Sequence, residues 1–327
     1  MSLGKWSTTD DVIAHASPQE LDRLRNSTAI VTGSNTGIGQ TVAAALMKIG
    51  VNVVYACRNL EKARAAAGSA AAAAAAADTG SITGTFTCME LDLSSLQSIR
   101  DFASNFGACA SEFKPLTCLV LNAGLVSSTP ENKTKEGIEI TFGVNHLGHW
   151  YLTQLLLPEL RKHTPARVVV VSSDSHFKGL ILRTPEELAD VDALETKIAY
   201  GFDEKMMRKY GSSKLANILF SQLLHAREQP GIVSASLHPG SMISTDIGAR
   251  NGFLQTFFVK YGIGLFTKNP DQGAATTLYV CLLPQDQLQG QYFDNSAPKK
   301  SSVLTRGAMA EAARNALEAL SIKLSKL

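Results

Sequence analysis

One stretch constrains this chain more than any other: Thr28-Ala29-Ile30-Val31-Thr32, then Gly33-Ser34-Asn35-Thr36-Gly37-Ile38-Gly39, then an apolar-periodic run from Gln40. A short apolar run reads as a buried strand, and glycines directly behind it let the backbone turn tightly into a helix. Strand, glycine turn and helix in this order aim backbone N–H groups and a helix N-terminus at one point, where a pyrophosphate would sit. Nucleotide binding is therefore expected at Gly33, Ser34, Asn35, Thr36, Gly37, Ile38 and Gly39. The plain alternative is a tight strand-to-helix connection.

The alternation continues downstream. Further strands are expected at Val51–Cys57, Thr85–Leu91, Thr117–Leu121, Arg167–Ser172, Val233–Leu237 and Gln291–Phe293, with helices beginning near Gly37, Leu60, Leu96, Gly137, Asp203 and Asp271. Strands alternating with helices predict an α/β fold: a doubly wound parallel sheet of about seven strands with helices on both faces. Val168–Val171 is apolar throughout, as a strand covered on both faces should be. The expected organisation is a polar lead over residues 1–25 with a short helix at Pro18–Arg25, a single domain over 26–298, and a tail over 299–327 with a helix at Met309–Leu324. Two segments break the rhythm. Ala70–Ala77 either prolongs the second helix or is a low-complexity insertion. Asp174–Lys209 is a polar insert, read as a flap over the substrate or as a solvated loop.

Charge excludes some functions. With 31 Lys plus Arg against 29 Asp plus Glu, the chain is no strongly basic nucleic-acid binder. Cys57, Cys88, Cys109, Cys118 and Cys281 are odd in number and scattered, so a reducing compartment is expected rather than a disulfide framework. No apolar run reaches the roughly 18 residues of a membrane span. The acidic residues Asp10, Asp11, Glu20 and Asp22 speak against a signal peptide.

The end of the second strand bears on the choice of nucleotide. A dinucleotide site usually has an acidic residue about 20 residues past the glycines, to bind the ribose hydroxyls. Here Cys57 and Arg58 stand in that place. A guanidinium suits a 2′-phosphate, so NADP(H) is favoured, with NAD(H) left open and a solvated arginine as the plain alternative.

The glycine spacing Gly-x-x-x-Gly-x-Gly, together with Tyr210-Gly-Ser-Ser-Lys214, resembles the short-chain dehydrogenase/reductase family. The resemblance covers residues 26–298 and implies a Rossmann-type fold. It implies that Asp92 and Leu93, in Leu91-Asp92-Leu93, lie at the adenine. It also implies that Asn122, Ala123 and Gly124 lie beneath the cofactor, and Pro239 and Gly240 beside the nicotinamide. Asn145, Ser173, Tyr210 and Lys214 match the family's catalytic tetrad, with Tyr210 and Lys214 also touching cofactor. Within the family, Val144-Asn-His-Leu-Gly-His149, Ser213-Lys-Leu-Ala-Asn-Ile-Leu-Phe220 and Gln272-Gly-Ala-Ala-Thr-Thr277 resemble the retinol dehydrogenases and the WW-domain-containing oxidoreductase. A WW module and a hydrophobic N-terminal anchor are not expected in the short lead.

Tyr210 and Lys214, four apart on a helical pattern, share one face. A phenol near its ordinary pKa of about 10 is a poor base, and a neighbouring ammonium favours its ionised form. Such a phenol can give a proton to a carbonyl oxygen as hydride arrives, or take one in the reverse reaction. Ser173, ending the fifth strand, can hold the substrate oxygen; Ser172 competes for that role. By resemblance, Asn145 holds a water that links Lys214 to solvent; a helix cap is the alternative.

Other groups carry less. Ser244 and Thr245 both remain candidates for the hydroxyl that meets the nicotinamide amide. His146 and His149 are three apart, but no third ligand has a matching spacing, so no metal is expected. Gly240-Ser-Met does not form a hydrolase elbow. Met242, Phe253, Phe257, Phe258, Tyr261 and Phe266 make residues 241–266 greasy, which suits a lipophilic ketone or aldehyde of retinoid, steroid or fatty-chain type. Packing, a homo-oligomer contact or a shallow membrane contact are alternatives for that segment. A rival from another class is an NADPH-binding interaction or sensor protein, against which the intact tetrad argues.

The chain ends Ser325-Lys326-Leu327, the tripeptide read by the peroxisomal import receptor. The expected address is therefore a peroxisome or a glycosome-like microbody, with the cytoplasm as alternative, provided that the last residues fray free of the helix.

Overall fold

A computed structural model describes residues 3–76, 83–127, 132–179, 192, 195–196, 206–240, 268–302 and 305–327. Eight strands form one sheet in the order β3-β2-β1-β4-β5-β6-β7-β8. They are β1 (Thr28–Thr32), β2 (Asn52–Cys57), β3 (Phe86–Glu90), β4 (Leu116–Leu121), β5 (Ala166–Val171), β6 (Ile232–His238), β7 (Tyr292–Asp294) and β8 (Ala297–Pro298). All neighbours pair in parallel except β7 and β8, where Phe293 faces Pro298 and Asp294 faces Ala297. The chain thus departs from the expected seven strands by a short antiparallel edge. Proline is tolerated there because an edge strand does not need every N–H.

Side chains alternate along each strand, so each central strand feeds two cores. Ile30, Leu119, Val168 and Val170 meet the helices Leu96–Ala108, Gly148–Lys162, Met206–Glu228 and Gly307–Ser325 on one face. On the other face Ala29, Val31, Val169 and Val171 meet Gly37–Lys48, Leu60–Ala76 and Pro270–Leu282. Covering on both faces is why Val168–Val171 of β5 is an unbroken valine run. The alanine tract prolongs the Leu60–Ala76 helix, and Ala77 lies outside the described residues.

The polar lead is not a loose arm. Thr9–His15 and Pro18–Leu24 each begin with a capping box, Thr8 with Asp11 and Ser17 with Glu20. Val12 and Leu24 enter the second core, and Thr9 Oγ1 donates to Asp271 at 2.5 Å.

One helix entry differs from expectation. Gly137 (φ +84°) lies in a turn closed by a Lys133–Glu139 bridge, so the helical stretch starts at Ile140 and passes through a widened π-type turn, Gly143–Leu147. The described helix after the insert starts at Met206, and Asp203 lies outside the described residues. So do most of the insert, Ser244, Thr245 and the whole greasy segment 241–266. The terminal helix does not fray as expected. It runs to Ser325, whose side chain donates to the Ile322 carbonyl and is only 3% exposed.

Candidate active site

The expected site residues sit in one row, because the parallel strands deliver their C-terminal ends to one edge of the sheet. In spatial order the row is Asp92 after β3, Arg58 after β2, the Gly33–Gly39 loop after β1, Asn122–Gly124 after β4, Ser173 after β5 and Pro239–Gly240 after β6. Strand order reverses between β1 and β4, the crevice where open α/β sheets take ligands.

At the switch point the packing is too close for side chains. Gly33 (φ +66°) approaches Ala123 so closely that a Cβ would lie 3.0 Å from its Cα. A Cβ on Gly39 would lie 2.3 Å from Asn122 Nδ2 and 2.5 Å from the Gly33 carbonyl oxygen. Gly33 N donates to the Ala56 carbonyl at 2.9 Å, which ties the loop to β2. Ser34 is buried and donates to Val31 O at 3.0 Å, whereas Asn35, Gly37 and Ile38 are half-buried and Thr36 is exposed. This cradle of glycine backbone at a helix N-terminus fits the phosphates of a dinucleotide.

Thr32, unremarked in the sequence, organises the floor. Its Oγ1 accepts from Asn122 N at 2.9 Å and from Ala123 N at 3.0 Å, while Asn122 Nδ2 donates to Thr32 O at 2.9 Å. A threonine at the tip of a strand carries no distinguishing signal without the partner strand. Toward the β2–β3 side of the sheet, Arg58 is exposed. Asp92 Oδ1 accepts from Ser94 N at 2.9 Å and from Ser94 Oγ at 2.7 Å. Leu93 is buried in the core, with its carbonyl against Gly148.

Around the expected tetrad, Tyr210 and Lys214 rise from the Met206–Glu228 helix, one turn apart. Lys214 is almost fully buried and its Nζ donates to Val171 O at 3.0 Å. Burial pushes this ammonium down to about 8. Burial raises the Tyr210 phenol, and a hydrogen bond with Ser173 pulls it the other way. Ser173 Oγ also accepts from Ser175 N at 3.1 Å. Ser172 is spent elsewhere: it is buried and donates to Lys214 O at 2.7 Å, so Ser173 is the serine that meets Tyr210.

Asn145 is buried in the widened turn. Its Oδ1 accepts from Leu125 N at 2.8 Å, and its Nδ2 donates to Leu125 O at 2.9 Å and Ser213 Oγ at 3.1 Å. A Cβ on Gly124 would meet Asn145 Oδ1 at 3.3 Å and Lys214 Nζ at 3.4 Å, so both groups line the space beside that glycine. His146 and His149 do not converge. His146 contacts Asn217 and Ser321, whereas His149 contacts Thr32 and Asn145. Pro239 and Gly240 are buried, and Gly240 (φ +119°) rests on the Lys268 side chain.

Comparison with known proteins decides the family. Residues 27–185 match the family described as short chain dehydrogenase. Mouse retinol dehydrogenase 12 is 38% identical over 268 residues, covering 81% of this chain and 77% of that protein. The chain belongs to the short-chain dehydrogenase/reductase family. Within it, the chain falls in the branch of the retinol dehydrogenases and WW domain-containing oxidoreductases, as its own motifs imply. Human WW domain-containing oxidoreductase is 39% identical over 268 residues, 81% of this chain but only 61% of that protein. Among solved structures, a protein from Mycobacterium paratuberculosis aligns over 98% of both chains, with TM-score 0.65 and 27% identity. A 3-oxoacyl (acyl-carrier-protein) reductase from Agrobacterium tumefaciens, solved with NADP bound, has TM-score 0.61 at 21% identity over 82% of this chain and 92% of its own, a likeness of fold. The chain spans about three fifths of the length of the WW domain-containing oxidoreductases it matches. No helix among the described residues is long and apolar enough to cross a membrane.

Proposed function

We propose that this protein is an NADPH-dependent reductase of an apolar aldehyde or ketone, or the dehydrogenase of the corresponding alcohol. The observation that carries this reading is the Ser173–Tyr210–Lys214 arrangement: a phenol hydrogen-bonded to a serine, one helical turn from a buried ammonium. When bound, the nicotinamide supplies or accepts the hydride.

This chain's residues do the rest. Ser173 hydrogen-bonds the substrate oxygen and holds it near Tyr210. Tyr210 gives its phenolic proton to that oxygen in reduction and takes it back in oxidation. Burial alone works against the phenolate, so the charge on Lys214 is needed to stabilise it. Asn145, beside Lys214 at Gly124, stands where a water can link the ammonium to solvent. Gly33–Gly39, Asn122, Ala123, Gly124, Pro239 and Gly240 hold the dinucleotide, with Asp92 and Leu93 at its adenine end.

Arg58 supports NADP(H) over NAD(H), because an exposed guanidinium at the tip of β2 suits a 2′-phosphate. The apolar composition of residues 241–266 supports a retinoid, steroid or fatty-chain substrate, in line with the names of the retinol dehydrogenase relatives. A panel of lipophilic aldehydes and ketones followed by NADPH absorbance tests the proposal. Consumption in the wild type but not in Tyr210→Phe supports it; no consumption with any member of the panel defeats it.

We extend the proposal to address. With Leu327 as a free carboxyl end, Ser325-Lys326-Leu327 would be an import signal for a peroxisome or similar microbody. Lys326 and Leu327 are exposed, while buried Ser325 requires the last helical turn to unwind on the receptor.

A further inference from the structure

His149 lies in the motif Asn145-His-Leu-Gly-His149, yet the proposed reaction gives it no part. It is buried, and its ring joins two parts of the site that belong to different elements. One ring nitrogen, Nε2, is 2.9 Å from Thr32 Oγ1, and the other, Nδ1, is 3.0 Å from the Asn145 carbonyl oxygen.

Counting hydrogens fixes the tautomer. A threonine hydroxyl has one hydrogen and two lone pairs. Both lone pairs of Thr32 are taken, by the N–H groups of Asn122 and Ala123. Its hydrogen must go out, either to Val120 O at 3.4 Å or to His149 Nε2 at 2.9 Å. A third N–H pointing at Thr32 would have no lone pair to meet, so Nε2 is the bare nitrogen. The hydrogen of the neutral ring is then on Nδ1, where the Asn145 carbonyl accepts it. One tautomer satisfies every contact, and the imidazolium satisfies fewer. The titratable groups facing the ring are Lys214 and His146, and neither offers a negative charge to hold a cation there. Burial in these surroundings pushes the imidazole down to about 3.

The chain of contacts runs from the cofactor floor to the tetrad: Asn122 and Ala123 to Thr32, Thr32 to His149, His149 to the Asn145 carbonyl. Asn145 in turn clamps both polar groups of the Leu125 backbone and touches Ser213, whose hydroxyl donates to Tyr210 O at 2.8 Å. A widened helical turn is the kind of irregularity that re-aims a residue at a functional site, and here the His149 ring supports the carbonyl that the turn presents.

We propose that His149 is a positioning residue: a neutral imidazole, fixed with its hydrogen on Nδ1, that locks Asn145 beside Lys214 to the cofactor-binding ends of β1 and β4. The role rests on the proposed reaction, since it sets the geometry of that site. The same network would be wasted on a ring free to change tautomer or to ionise.

The experiment has two arms. In the first, the full chain with 15N-labelled histidine is followed by NMR from about pH 8 to about pH 5, and His149 is assigned by the signal lost in His149→Gln. One neutral Nδ1–H ring throughout is the expected result. An Nε2–H ring, or titration near the ordinary imidazole value, overturns the proposal whatever the activity of the chain. In the second arm, wild type, His149→Gln and His149→Leu are compared with NADPH and nonanal across pH. His149→Leu should lower kcat roughly tenfold and move the pH dependence of kcat, with the KM for nonanal within about twofold. His149→Gln, whose amide can both accept from Thr32 and donate to Asn145, should recover most of that loss. If the wild type turns over and His149→Leu keeps its kcat and pH profile, the proposal is overturned. An inactive wild type would count against the proposed reaction, and the tautomer arm would still decide the inference.

Discussion

Lys214 stands one helical turn beyond Tyr210, with its Nζ 5.6 Å from the centre of the phenol ring, and gives a hydrogen bond to the Val171 carbonyl at 3.0 Å. The ammonium is thus held by β5, the same strand whose end delivers Ser173 to the phenol. Strand and helix together fix three side chains that sequence spacing alone could only place nearby.

The first expectation concerns Tyr210. Tyr210→Phe removes the hydroxyl that meets Ser173 and leaves the glycine cradle untouched. Turnover should fall by roughly a thousandfold or more, in the range of a lost general acid, while NADPH affinity stays within about threefold. Steady-state kinetics and NADPH fluorescence titration check the two halves. Turnover equal to wild type would sink the role assigned to this phenol.

Lys214 makes the cofactor-free protein's stability depend on pH. Its folded value, about 8, lies below the ordinary 10.5, so between those values the unfolded chain binds the proton more tightly than the folded chain. Stability therefore rises with pH across that window, and the full penalty is present below about pH 8. Lys214→Met relieves it, and Val171 O keeps a donor in Asn217 Nδ2 at 3.2 Å. The variant should be more stable than wild type at pH 7, on the order of 3 kcal/mol, with the gain shrinking toward pH 10. Urea unfolding at several pH values reads it; a gain that does not vary with pH would refute the assignment.

Much of the fold was legible because the sheet is covered on both faces. β1 and β5 are then built around the apolar runs Ala29–Val31 and Val168–Val171, and a strand that turns at once into a helix needs the glycines found behind β1. The two-residue strand β8 was not legible, since Ala297–Pro298 is too short for any periodicity. Gly137 misled because a glycine before an apolar periodic stretch can either open a helix or, as here, close the turn ahead of it. In the site, Tyr210 and Lys214 were legible through the resemblance of Tyr210-Gly-Ser-Ser-Lys214 to the family pattern, since their spacing alone gives only a shared helix face. The choice between Ser172 and Ser173 depended on a carbonyl 42 residues away, that of Lys214. Thr32 and His149 form a pair only after β1 and the helix following Asn145 are packed together.

Arg58 tests the proposed cofactor choice. Arg58→Asp replaces the guanidinium at the tip of β2 with the carboxylate that ribose hydroxyls favour. The KM for NADPH should rise roughly tenfold or more and the preference should relax toward NADH. Parallel kinetics with the two cofactors decide the matter, and an unchanged ratio would make Arg58 a bystander.

Arg167 is a test of the scaffold. It is fully buried on β5, and its Nη1 donates to the carbonyls of Val280, Cys281 and Leu283 at 3.1, 2.5 and 2.9 Å, closing the end of the Pro270–Leu282 helix. A cation at a helix C-terminus also meets the negative end of its dipole. Arg167→Met should cost about 3 kcal/mol, because the Val280 and Leu283 carbonyls lose this donor inside the core and the Cys281 carbonyl keeps only Arg23 Nη2 at 3.2 Å. Urea unfolding measures this, and a loss below about 0.5 kcal/mol would show that water or neighbouring groups replace the guanidinium.

The last expectation concerns the tail. Leu327 is 57% exposed and Lys326 is exposed, but Ser325 is 3% exposed and lies within the helix. A receptor that reads all three residues must first free the last turn. That turn is held by Leu324 in the core and by the Ser325 hydroxyl on Ile322 O. Weakening the hold without altering the tripeptide should therefore improve capture. Leu324→Ala removes a core contact worth roughly 2 to 3 kcal/mol when fully buried, enough to loosen the turn. A fluorescent protein fused upstream of a free Leu327 should give punctate organelles. Leu324→Ala should sharpen them, and deletion of Leu327 should disperse them. Diffuse signal from the intact terminus would refute the address, and equal import of wild type and Leu324→Ala would show that helix docking does not limit recognition.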